Sequence, residues 1–178
     1  ALSEGLIGLH AAAFMVGLVV SVLTLPALNA YARAGTLIVA GLAIAAAALV
    51  GFALTENLIF WFFLRFVLGY CVNTIYVLGE AWLNAAANDR VRGRVTGVYG
   101  AGMSFGFAIG PLGIAVFGTE DGLAFSICAS FVALVAMLFA ILARRAKAEP
   151  EPVILREIGA FFTLSPHLIV LVIIFGIF

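Results

Sequence analysis

Charge is what this chain has least of. Asp, Glu, Lys and Arg make up 10% of its 178 residues, hydrophobic residues 65%, and the mean hydropathy is +1.25. Soluble domains are near half apolar and about a quarter charged. The composition therefore excludes a globule folded in water and assigns the chain to lipid. The formal net charge is zero; with no basic excess, no nucleic-acid partner is expected. Histidine is equally sparse, at two residues, and the carboxylates are scattered. A polytopic membrane enzyme needs clustered His, Asp or Glu at the membrane face. Without such a cluster we expect no enzyme, no metal site and no cofactor. The two cysteines, Cys71 and Cys128, lie inside apolar runs, far from any C-x-x-C pattern. They read as small packing residues.

What the chain does have is long apolar runs. A membrane helix needs roughly 20 mostly apolar residues. Five complete runs qualify, Leu6–Leu28, Leu37–Leu54, Leu58–Asn84, Val95–Phe117 and Leu123–Ala143, and a sixth begins near Leu168 and is cut off at Phe178. The expected fold class is all-α, a polytopic helical membrane protein. The first run is too long for the core of a signal peptide. Opening at Ala1 without a Met, the chain reads as a piece of a longer protein. Four joints are short, and one long linker, RRAKAEPEPVILREIGAFFTLSPH, separates the fifth and sixth runs. Pro150 and Pro152 end the preceding helix. Ile154, Leu155, Ile158, Phe161 and Phe162 then share one helical face, with Arg156 and Glu157 off it, as in a helix lying on a membrane surface. The domain reading is a transmembrane bundle over 1–143, a cytoplasmic linker over 144–165 and the start of a second bundle over 166–178.

The basic residues set the orientation. Of nine, all but Arg65 fall in the first, third and fifth joints: Arg33; Arg90, Arg92 and Arg94; Arg144, Arg145, Lys147 and Arg156. The second and fourth joints carry only Glu56, Glu120 and Asp121. Alternate joints share a side, so the positive-inside rule assigns the arginine-bearing ones to the cytoplasm.

Polarity is unequally shared among the runs. The second has no polar side chain and the fifth only small ones, so both can face lipid. In the first, His10, Gly17, Ser21 and Thr24 fall within about 60° on a helical wheel. In the third, Gly69, Asn73, Tyr76, Glu80 and Asn84 lie within about 100° of Arg65. Such a stripe is too polar for lipid and must face protein or a water-filled cavity. Interhelical hydrogen bonding is the simpler reading, and the length of the stripe favours a cavity. The fourth run repeats Gly102, Gly106 and Gly110 every four residues, leaving a face without side chains, and Pro111 can kink it. That face serves close packing, sliding of one bundle on another, or both.

These residues resemble the major facilitator superfamily. LPALNAYARAGTLIVAGL is similar to that family's second helix and the loop after it, although of the loop's motif only Arg33 and Gly35 remain and its acidic residue is missing. RFVLG at 65–69 is similar to the fourth-helix motif, for which the family implies proton coupling through the arginine, here Arg65. Gly97, Gly106, Gly110 and Pro111 match the spacing G-x8-G-x3-G-P associated with the drug-and-proton antiporter branch, without its closing glycine pair. The resemblance covers the whole chain as helices two to six and the start of seven of a twelve-helix protein, the first helix of the N-terminal six-helix bundle being absent. It implies that helices two, four and five line a central cavity, with substrate bound between two halves that rock by alternating access.

The charged and polar residues then take expected roles, each beside a plainer one. Trp61 and Trp82 are roughly 31 Å apart on a helix, about one hydrocarbon thickness, and read as interface markers. Arg65 lies about 6 Å inside the outer one, where it either couples protons or snorkels to the surface. Asn73 and Tyr76 are nearest the midplane and, with Ser21 and Thr24, form the expected substrate pathway. Glu80 either pairs with Arg90, Arg92 or Arg94 as a cytoplasmic gate or is a plain exposed carboxylate. His10 either shuttles protons or packs. The function expected is secondary active transport of a small organic solute, proton-coupled, as antiport or drug efflux, in a bacterial inner membrane. The alternative is a receptor or scaffold that uses the fold without transport. The partners expected are the bilayer, the solute, protons and the remaining helices of the full-length protein.

Overall fold

In hydrocarbon an unpaired backbone N–H or C=O costs several kcal/mol, so each apolar run closes its hydrogen bonds within itself as a helix. The structure, a computed structural model, describes residues 4–87, 90–118 and 122–144. They form five helices: α1 (Glu4–Tyr31), α2 (Ala34–Leu54), α3 (Leu58–Ala86), α4 (Arg92–Phe117) and α5 (Leu123–Ala143). The long linker, its surface helix and the start of the sixth run lie outside the described residues. Among those described, α1, α2, α3 and α5 are long and apolar enough to cross a membrane. The fourth expected span does form a helix, of 26 residues, but it is not among these four. Its glycines, with Tyr99, Ser104 and Pro111, dilute the apolar content.

Two boundaries differ from expectation. α1 continues through Pro26 to Tyr31, so the first joint shrinks to Ala32 and Arg33. α4 starts at Arg92, which puts Arg92 and Arg94 on its first turn instead of in a loop. The α2–α3 turn is built by side chains. Asn57 Oδ1 accepts from the N–H groups of Ile59 and Phe60 at 3.0 and 3.2 Å, capping α3. Trp61 Nε1–H donates to the Thr55 carbonyl at 2.6 Å, and the ring packs edge-on to Phe52 and Phe125. Trp61 is therefore a packing residue of this turn. At the head of α5, Gly122 has φ +65°, and a Cβ there would approach the Ala53 carbonyl oxygen to 3.0 Å. Glycine meets both demands.

The helices pack in two pairs joined through α2 and α3. α1 and α3 run parallel: His10 stacks on Phe62, Ser21 meets Thr74, and Leu25 joins Leu78 in a buried cluster. α2 runs antiparallel to α3, with Phe52 beside Leu64 at one end and Ile38 beside Leu78 at the other. α5 runs antiparallel to α2, from Phe125 on Phe52 to Ala143 beside Gly35. The ends of α1, α3 and α5 that adjoin Arg33, Arg90 and Arg144 are therefore gathered together.

α2, which from Leu37 on has no polar side chain, still exposes Ile44, Val50 and Leu54 and lies between α3 and α5. Ala34, Gly41, Ala45, Ala46 and Ala48 are buried there, because small residues let helix backbones approach closely where hydrophobicity gives no preference between protein and lipid. α4 stands apart, touching α3 and α5 at few points.

Candidate translocation site

Contact between α1 and α3 is set by two glycines. A Cβ at Gly17 would collide with the carbonyl oxygen of Phe66, and one at Gly69 with that of Phe14. Backbone thus lies on backbone, as small residues permit in lipid. At this separation short polar side chains bridge the helices. Ser21 Oγ and Thr74 Oγ1 share a hydrogen bond of 2.9 Å, and Asn73 Nδ2 donates to Ser21 Oγ at 3.2 Å. One turn on, Thr24 Oγ1 and Tyr70 Oη share one of 2.8 Å. The hydroxyls of Thr24 and Thr74 also reach backbone carbonyls of their own helices, Val20 O and Tyr70 O.

The expected polar face of α3 is therefore divided. Gly69 is buried against α1, and Asn73 is half-buried with its amide held by Ser21. Tyr76 is 40% exposed and tilts against Tyr99 of α4, ring centroids 6.4 Å apart. Glu80 lies partly buried, one turn beyond Tyr76 on α3. Arg65 is exposed at the far end, and among the described residues it makes no ion pair. Ser21 is fully buried between the helices, so any part it plays in a pathway is to orient Asn73, not to meet a solute. Thr24 is half-buried. Arg90, Arg92 and Arg94 are exposed around the start of α4, at the same end of α3 as Glu80.

Tyr70, Thr74 and Tyr99 were missed by sequence reasoning. Tyr70 and Thr74 lie about 140° and 180° from Arg65 on the wheel, outside the arc drawn through the stronger polar groups. Counting hydroxyls as well as charges and amides would have widened that arc towards α1. Tyr99 carried no signal beyond being a tyrosine in an apolar helix.

Among the described residues nothing packs on the glycine face of α4. A Cβ added at Gly97, Gly102, Gly106 or Gly110 would meet nothing within 4 Å among the described residues. The helix continues through Pro111. His10, by contrast, is 6% exposed and stacked on Phe62 at 3.8 Å, and neither ring nitrogen has a partner among the described residues. No group of three or more potential metal ligands occurs among the described residues.

Long apolar helices, a polar seam midway along them and arginines collected at one end define an integral, multi-pass membrane protein. The chain belongs to the Major Facilitator Superfamily, whose family model matches residues 1–178. No curated protein and no solved structure matches it. Membership assigns the chain to the secondary transporters, which work in a lipid bilayer.

Proposed function

We propose that the transporter moves a small organic solute by alternating access, coupled to protons. Antiport of the drug-efflux kind fits the glycine and proline spacing of α4. The observation that supports this reading is the polar face of α3 between its contacts with α1 and α4. There the Asn73 amide, held by Ser21 of α1, lies one turn along α3 from Tyr76, which leans on Tyr99 of α4. An amide bound through one N–H still offers a second donor and a carbonyl acceptor, and two phenol rings offer π-faces with hydroxyl tips. This combination suits an organic solute with a polar group better than a bare ion. Asn73 and Tyr76 contact the solute, and Ser21 and Thr24 hold the polar groups of α3 in position. Arg65 carries the proton coupling. Glu80 with Arg90, Arg92 and Arg94 closes the cytoplasmic end, and the bare glycine face of α4 is the surface on which a moving bundle slides. The membrane is a bacterial inner membrane, with the gathered arginines in the cytoplasm.

The test is flux into proteoliposomes holding the complete protein. With Arg65→Ala, flux driven by a pH gradient is expected to vanish while the protein remains folded in the membrane. Undiminished pH-driven flux would leave Arg65 as a lipid anchor and remove the coupling assignment.

A further inference from the structure

A cavity of about 330 Å³ opens where the start of α2 meets the end of α5. Its walls are Arg33, Thr36 and Val39 from one helix and Ala140 and Arg144 from the other. Gly35 and Ala143 form its floor, a Cβ at Gly35 coming 3.5 Å from that of Ala143. Both arginines are exposed, and among the described residues no carboxylate lines the cavity. The first turn of α2 adds to the positive potential. It contains no acidic residue, and Arg33, at the N-cap position, makes no side-chain capping bond, so the α2 amides point outward uncapped by side chains. The volume falls in the range of small-ligand pockets.

From the two arginines, the Thr36 hydroxyl and the helix amides converging on one cavity we infer a binding site for a phosphate anion. Guanidinium groups match the geometry of phosphate oxygens, and helix amides add short, directed donors. α2 and α5 both have the length and apolarity of membrane-crossing helices, so their ends lie at headgroup depth on whichever side they face. The phosphate available at that depth is the phosphodiester of an anionic phospholipid. Its acyl chains would run down the apolar surfaces of α2 and α5, continuing from Val39 and Ala140. This site uses none of the residues of the proposed solute pathway and does not depend on the transport reading.

The full-length protein is reconstituted into vesicles of equal phosphatidylglycerol and phosphatidylcholine, extracted in mild detergent, and the lipids it retains are counted by native mass spectrometry. An arginine near the membrane surface favours anionic lipid by about 5-fold, so the two together predict roughly 30-fold enrichment of phosphatidylglycerol at the site. In R33Q/R144Q the enrichment falls to near parity, and the paired lysine variant retains part of it. Ala140→Leu fills the cavity without altering charge and is expected to lose the enrichment as well. A parallel arm in pure phosphatidylcholine adds inorganic phosphate. Arginine-dependent phosphate binding there, without lipid enrichment, supports the anion site with free phosphate as its source. If the glutamine pair leaves lipid retention unchanged and phosphate does not bind, there is no anion site. If Ala140→Leu keeps the full enrichment, the attraction is diffuse surface charge and the cavity is not the site.

Discussion

Replacing Gly69 by alanine puts a methyl group against the carbonyl oxygen of Phe14, and the same change at Gly17 aims one at the carbonyl of Phe66. Neither obstacle is a side chain that can turn away; both are helix backbone. The two helices must therefore separate, and a shift of about 1 Å would stretch the 2.9 Å bond of Ser21 to Thr74 and the 2.8 Å bond of Thr24 to Tyr70 beyond hydrogen-bond reach. Overpacking of this kind costs about 1–3 kcal/mol, and each interhelical hydrogen bond lost in a membrane about 0.6 kcal/mol. The sum for Gly69→Ala is about 2–4 kcal/mol, a drop in unfolding midpoint on the order of 5–10 °C. Gly41 supplies the control. There a new Cβ meets side-chain atoms, Ile75 Cγ1 at 3.1 Å and Cδ1 at 3.5 Å, which need give way by only a few tenths of an ångström, and the nearest backbone atom is 3.7 Å off. Gly41→Ala is expected to cost less than about 1 kcal/mol, helped by alanine's better helix propensity. The assay is thermal exposure of Cys71, which is buried on α3, to a thiol-reactive dye, with Cys71 left as the protein's only cysteine. Equal midpoints for Gly69→Ala and Gly41→Ala would refute the claim that backbone contact sets the α1–α3 spacing.

The same assay reads two further changes. His10→Phe keeps the stack on Phe62 and removes two ring nitrogens with no partner among the described residues, so a gain of about 1 kcal/mol is expected; a lower midpoint would mean that His10 holds a polar partner in the complete protein. Gly106→Ala adds a methyl where nothing among the described residues lies within 4 Å, so the midpoint should not fall, and proton-driven flux is the quantity expected to decrease if the face slides. A large loss of stability with Gly106→Ala would show a tightly packed helix on that face.

Membrane residence, an all-helical fold and the sharing of one side by the arginine-bearing joints were all readable before any coordinates. Each depends on a property that adds up along the chain: run length, polarity and the parity of crossings. The polar stripe of α3 was readable for the same reason, since a helix of known period fixes which residues share a face. Its division was not. Gly69 and Asn73 face α1 while Tyr76 leans on Tyr99, and that outcome depends on the path of two other helices across the stripe. The glycines make the point most plainly. The regular repeat Gly102, Gly106, Gly110 gave the stronger pattern, yet the close backbone contact belongs to Gly17 and Gly69, one on each of two helices far apart in sequence. A missing side chain tells where a second helix is able to come near. Whether one does is decided by tertiary packing, because in lipid the hydrophobic effect does not choose between helix and lipid tail, and only fit and hydrogen bonds do.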